Sequence, residues 1–316
     1  MPFTPEHAKA AWSESRPASA EDTAVLAALR PLLEPFKGRL QGTAARPAFD
    51  DIMGHTPDAD GVEYETGMVA GVPGWWCRPR TPRDGDEAIL HLHGGWYVWG
   101  SATAYRKFTG HIAARTRTAA FVADYRLAPE HPFPAGLEDA QKLYAGLVER
   151  GFRRIALVGD SAGGGLALAL LSLLAKDAPG GVKAAAAVLL SPVTDLTLSG
   201  ASWETRDATD PYFTRGQAAQ LIGLYLNGHA PTDPLASPLF GNVAGLPPIR
   251  VHVGDAEMLL DDSLRYIERA VAAGVDARVD VWESMLHVFP SGIGRFGAAT
   301  LALDEIGAFL ADRLAA

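Results

Sequence analysis

Cysteine is almost missing from this sequence: Cys77 stands alone among 316 residues. One thiol excludes an intrachain disulfide and a thiolate cluster for zinc, and it suits a reducing compartment, so a cytoplasmic protein is expected. Long apolar runs are missing too. The longest, "LALALLSLLA" (166–175), is too short to cross a bilayer, and no membrane partner is expected. The opening "MPFTPEHAKAAWSESRPAS" lacks a basic start leading into an apolar stretch, which argues against a signal peptide. Positive charge is in deficit, with 28 Lys and Arg against 37 Asp and Glu and a formal net charge of -9. No basic stripe breaks that balance, which excludes a nucleic-acid partner and leaves solubility as the role of the acidity. Internal repeats and low-complexity runs are also lacking.

What is there is an ordinary globular composition. Hydrophobic residues make up 48% and charged residues 21%, enough to bury a large core. Many α/β folds of this length form a single unit. Residues 1–50 read as helical: "TAVLAALRPLLEPF" brings Val25, Leu26, Leu29, Leu32 and Leu33 near helical spacing, with Pro31 set to limit or kink the helix. Beyond them "VEYETGMVA" and "GWWCRPR" read as a strand pair. Six buried strands follow: "EAILHLHGG", "TAAFVADYR", "RRIALVGD", "VKAAAAVLLSP", "PPIRVHVGD" and "ARVDVWE". Helical stretches separate most of them, and this alternation predicts right-handed crossovers and a mostly parallel sheet. Residues 197–237 break the rhythm with aromatic and helical character. An insertion of that length reads as a lid or cap rather than a plain loop.

Three segments carry chemistry. In "RRIALVGDSAGGGLALALL" an apolar strand ends at Gly159, and Asp160, Ser161, Ala162 and Gly163 lead into an apolar helix. This is G-x-S-x-G in a strand–turn–helix context. A turn that sharp strains the serine backbone and crowds its neighbours, so the residues two before and two after must be small. The helix start then aims free N–H groups at a developing oxyanion. A phosphate loop is excluded because its lysine is missing, and Asp160 reads as structural. The second segment, "LHLHGGWYVWGS", runs a strand into His93, Gly94, Gly95 and Trp96, where adjacent glycines free further N–H groups for the same oxyanion. His91 and His93 share a strand face, but no third ligand stands at a sensible spacing, so no metal is expected. His93 is expected to brace the glycine loop. The third segment, "VWESMLHVFP", places His287 after a strand late in the chain. Ahead of it "HVGDAEMLLDDS" holds Asp255, Glu257, Asp261 and Asp262. Asp261 and Asp262 fall in the first turn of a helix and read as its caps.

Together "HGGW", "DYRLAPEHPFPA" (124–135), "GDSAGG", "SPLF", "GLPP" and "MLHVF" resemble the signatures of the α/β-hydrolase superfamily, in its bacterial hormone-sensitive-lipase-like esterase branch. The resemblance runs from about residue 85 to 316. It implies an α/β-hydrolase fold, with a mostly parallel central sheet flanked by helices and a helical cap. It divides the chain into an N-terminal helical cap segment, 1–50, and a catalytic domain, 51–316, carrying the cap insertion near 197–237. Serine, acid, histidine is the family's chain order. The family's acid stands about as far ahead of its histidine as Glu257 does from His287, with a second acid four residues on, where this chain has Asp261. That spacing selects Glu257 and keeps Asp255 as the alternative. The family commonly has a third glycine where Trp96 stands. A backbone N–H can still serve there if its dihedral angles allow, and the indole narrows the acyl side.

The resulting expectation is a serine carboxylesterase for short- to medium-chain esters, with no metal or cofactor. Ser161, His287 and Glu257 carry the reaction; Gly94, Gly95, Trp96 and Ala162 form the oxyanion hole; Trp96, Tyr97, Tyr212 and Phe213 line the pocket. A lactone hydrolase with the same triad, or a non-catalytic small-molecule binder on the same fold, are the alternatives. The partner expected is a small ester or lactone, and a homodimer is left open.

Overall fold

The computed structural model describes residues 10–83 and 85–316. Its centre is one nine-stranded sheet in the order β1-β9-β8-β7-β6-β4-β5-β3-β2. The strands are β1 (Ser13–Arg16), β2 (Val62–Val69), β3 (Val72–Pro79), β4 (Glu87–Leu92), β5 (Ala120–Ala123), β6 (Arg154–Asp160), β7 (Ala184–Leu190), β8 (Ile249–Gly254) and β9 (Ala277–Trp282). Only β3 runs antiparallel to its neighbours, β2 and β5; every other pair is parallel. The strand pair expected from "VEYETGMVA" and "GWWCRPR" is the β2–β3 hairpin.

The central strands are apolar along their whole length because both faces are covered. In β6, Ile155 and Leu157 pack into one layer while Ala156 and Val158 pack into the other. The first layer meets α4 (Ala135–Glu149), α5 (Ala162–Lys176) and α8 (Leu260–Ala272). The second meets α3 (Ala102–Thr116) and the C-terminal α9 (Gly297–Ala315). Helix α5 is apolar all round, with no large polar stripe, because it is buried against the sheet from its first turn. None of the described helices is long and apolar enough to cross a membrane.

The N-terminal segment departs from the helical expectation, and residues 1–9 of it lie outside the described residues. Residues 13–16 form β1, an edge strand paired in parallel with β9. Its sequence, "SESR", has no apolar pattern; main-chain bonds from Val279 N to Trp12 O (2.9 Å) and Glu283 N to Arg16 O (2.9 Å) hold it, along with ion pairs such as Arg16–Asp280. Helix α1 (Ala20–Leu33) follows, capped by Ser19 Oγ, and runs through Pro31 to its end. Helix α2 (Arg46–Gly54) comes next. The 197–237 insertion contributes α6 (Ser202–Thr205) and α7 (Arg215–Leu226). The chain after α1 binds that insertion: Gly38 N donates to Tyr212 O (2.9 Å), and Lys37 pairs with Asp207 (2.9 Å).

Candidate active site

The loops that follow β4, β6, β8 and β9 leave the sheet at the carboxyl ends of neighbouring parallel strands, where open α/β sheets form their ligand crevices. Ser161 sits between β6 and α5 with φ 53° and ψ -121°, a conformation L side chains rarely adopt. The flanking glycines answer to contact. A Cβ on Gly159 would lie 2.4 Å from Gly163 O, and one on Gly163 would lie 2.0 Å from Leu92 O. The turn closes only if both positions are bare.

The two candidate acids hold different partners. Glu257 Oε2 accepts from His287 Nδ1 at 2.6 Å, while its other oxygen accepts from the Ser191 hydroxyl (2.7 Å) and Gly254 N (2.8 Å). Asp255 turns elsewhere and accepts from Ser284 N at 2.6 Å. Burial works against the imidazolium of His287. The Glu257 carboxylate, by charge and hydrogen bond, and then Asp210 and Asp160, outweigh that and hold its pKa above the ordinary value. With Nδ1–H held by Glu257, Nε2 is left to accept a proton. Among the described residues no hydrogen bond joins Ser161 Oγ to His287.

Opposite Ser161, the glycine loop separates into donors that are taken and donors that are free. Gly94 N–H donates to Asp160 Oδ1 at 3.0 Å, so Gly94 drops out of the expected oxyanion set. Its own requirement is steric, since a Cβ there would meet Asp160 Oδ2 at 2.3 Å and Ser161 Cβ at 3.1 Å. The N–H groups of Gly95, Trp96 and Ala162 donate to no protein acceptor among the described residues. Trp96 (φ 55°) and Tyr97 (φ 62°) both adopt left-handed backbone, which resolves how a tryptophan stands in a glycine's place. Asp160 is a buried brace that also accepts from Tyr105 Oη (2.9 Å). His93 Nδ1–H donates to Gly94 O (2.8 Å), and its ring stacks on Tyr125 at 4.5 Å between centroids. Burial lowers the His93 pKa, so it stays neutral. His91 lies between Thr109 Oγ1 and Asp160.

Aromatic rings gather beside His287. Phe213 meets Trp96 edge-on at 5.6 Å and His287 edge-on at 5.2 Å, and Trp203 lies 6.2 Å from Trp96. Tyr212 borders a cleft that His287 also lines. Tyr97 differs from its expected pocket role: it stacks on Tyr225 at 3.8 Å, deep in the core.

Asp261 and Asp262 also depart from expectation. Neither caps α8, whose N-cap is Leu259 without a side-chain bond. Asp262 Oδ2 accepts from Thr194 N (2.7 Å) and Asp195 N (2.9 Å), and Asp261 Oδ2 accepts from Ser202 N (3.0 Å). The buried carboxylates therefore pin the start of the insertion, and burial pushes Asp262 up to about 7. Two residues outside the sequence expectation join the site. Ser191 links Glu257 to the histidine loop, because its Oγ also accepts from Val288 N (3.1 Å). Asp210 Oδ1 accepts from Tyr212 N (2.8 Å), and its Oδ2 accepts from Met258 N (3.0 Å), so it ties the roof to the acid loop. A serine ending "LLS" and an aspartate in "DATDPYF" carry no spacing signal that would have singled them out.

Among the described residues, His252, Asp280 and Glu305 bring ligand atoms within 4.8 Å of one another. The cations there are already guanidinium groups: Arg16 pairs with Asp280 and Glu305 (both 3.1 Å), and Arg278 with Asp280 (2.8 Å). Trp282 Nε1–H donates to His252 Nδ1 (3.2 Å), so the set is a poor fit for a divalent ion.

The family described as alpha/beta hydrolase fold matches residues 89–291. The chain belongs to the α/β-hydrolase family. This α/β-hydrolase is 38% identical over 237 residues to an acetyl-hydrolase of Streptomyces hygroscopicus, a match covering 74% of this chain and 78% of the other. It is 34% identical over 278 residues to an esterase of Acinetobacter venetianus, covering 87% and 90%. Among solved structures it is similar to an esterase from the bacterial hormone-sensitive lipase family, with 39% identity, a TM-score of 0.86 and coverage of 94% and 99%. These likenesses group it with that branch, as its motifs had implied.

Proposed function

We propose that this α/β-hydrolase is a serine carboxylesterase acting on short- to medium-chain esters. The observation that carries the reading is the 2.6 Å Glu257–His287 pair at the strand ends beside a serine with strained backbone. Ser161 Oγ attacks the ester carbonyl carbon and passes its proton to His287 Nε2. The N–H groups of Gly95, Trp96 and Ala162 receive the oxyanion. The C–O bond to the alcohol breaks, the alcohol leaves with the proton from His287, and an acyl ester remains on Ser161. Water, deprotonated by His287, then releases the acid. Substrate brings serine and histidine into hydrogen-bond contact, as catalytic bonds often tighten only in the complex.

The two segments that meet at Tyr212 act as the cap, and Trp96, Phe213 and Trp203 close the acyl side. Esterases and an acetyl-hydrolase among the relatives support this reading. Lactone hydrolysis uses the same steps with a tethered alcohol. The acidic charge and single buried cysteine accord with work in the cytoplasm. A turnover panel of p-nitrophenyl esters and small lactones tests the assignment. Ester turnover that peaks at short acyl chains supports it, and no turnover of any member would refute it.

A further inference from the structure

A small cleft of about 110 Å³ opens beside His287, walled by α2, the 286–296 segment and Tyr212. Among the described residues no Asp or Glu lines it. Several of its polar side chains are engaged with backbone: Thr56 Oγ1 donates to Met53 O (3.1 Å) and Ser291 Oγ to Val288 O (2.8 Å). Two are not. The exposed guanidinium of Arg295 has neither an ion pair nor a hydrogen bond among the described residues, and the Tyr212 hydroxyl donates to nothing among them. Both residues line this cleft. Burial pushes the Tyr212 phenol up to about 12, with Asp210 adding to it and the Arg295 and Arg30 charges opposing. Tyr212 is therefore a protonated donor in a cleft that Arg295 also lines.

The leaving alcohol must lie on the His287 side, because His287 hands it the proton, and on the esterase reading the acyl group lies toward Trp96. We propose that this cleft holds the alcohol portion of the substrate and that Arg295 and the Tyr212 hydroxyl bind a carboxylate carried by that alcohol. The guanidinium fork matches a carboxylate, and the phenol adds a second donor. The substrate class is then an O-acylated hydroxy acid, cleaved to a short carboxylic acid and the free hydroxy acid. This inference rests on the esterase reading of the same site.

A matched pair of acetyl esters tests it: meta-acetoxybenzoate, which is anionic, and meta-acetoxybenzamide, which is neutral. The readout is the ratio of their kcat/KM values within each protein, which cancels general effects of a substitution. Wild type is expected to favour the anion by roughly fivefold, the scale of one charge pair in a partly solvated cleft. Arg295→Gln should bring the ratio to one or below, and Tyr212→Phe should lower it in the same direction. A ratio unchanged in Arg295→Gln overturns the proposal, whatever Tyr212→Phe does. Failure of the esterase reading looks different, since wild type would then turn over neither ester.

Discussion

Glu257 and Asp255 stand two residues apart on one loop and hold different partners, an imidazole and a backbone N–H. Glu257→Gln is therefore expected to lower kcat by about 10⁴-fold, because an amide cannot stabilise imidazolium and favours the wrong tautomer. Asp255→Asn is expected to cost less than about tenfold, within what a loop adjustment explains. Steady-state kinetics on p-nitrophenyl acetate check both. The pH profile gives an independent view. His287 must be neutral to take the serine proton, and its pKa is raised, so activity falls as pH drops through a value above the ordinary histidine pKa of about 6.5. Removing the Glu257 charge leaves burial dominant, so the residual kcat/KM of Glu257→Gln should show its acid limb at lower pH. A limb that stays in place would separate the acid from the histidine. At this scale the sequence was legible where chemistry has a local signature. Ser161 lies between glycines required by contact, and the family resemblance pointed to Glu257, whose carboxylate lies 2.6 Å from the His287 ring. Gly94 and Asp262 were not legible, because their partners, Asp160 and the backbone at Thr194, are distant in sequence and brought close only by the fold.

At the scale of elements, strands buried on both faces were legible as apolar runs, and β1 was not. A four-residue edge strand held by main-chain bonds and ion pairs has no hydrophobic pattern to read. Helix α9 was likewise missing from the sequence reading, and its start is capped from afar: Asp22 of α1 accepts from Gly297 N (2.7 Å) and Ala298 N (2.9 Å). That carboxylate meets both the free N–H groups and the positive end of the helix dipole. Asp22→Ala should cost about 1 kcal/mol of stability. Thermal unfolding would show it as a fall of about 2–4 °C in Tm. No fall would mean that α1 docks without this cap. The elbow strain at Ser161 and the left-handed Trp96 persist because close-packed neighbours hold them.

Across the whole molecule, loops from four strand ends converge under a roof drawn from two distant segments. On the proposed reading the roof limits size on the acyl side, since each added methylene gains only about 0.8 kcal/mol on burial, less than a steric clash can cost. The best kcat/KM is expected for acyl chains shorter than about eight carbons, and Trp96→Gly should move the optimum to longer or bulkier chains. A panel of p-nitrophenyl esters read on both proteins decides this, and an optimum unmoved by Trp96→Gly would take the indole out of the acyl pocket. The central claim is that Ser161 becomes acylated in turnover. Acid-quenching a reaction with p-nitrophenyl acetate and mapping the acetyl group by mass spectrometry tests it most directly. The expected result is one acetyl group on the peptide containing Ser161, absent in Ser161→Ala, together with loss of turnover by several powers of ten. An acetyl group on another residue, or activity of Ser161→Ala within tenfold of wild type, would contradict it.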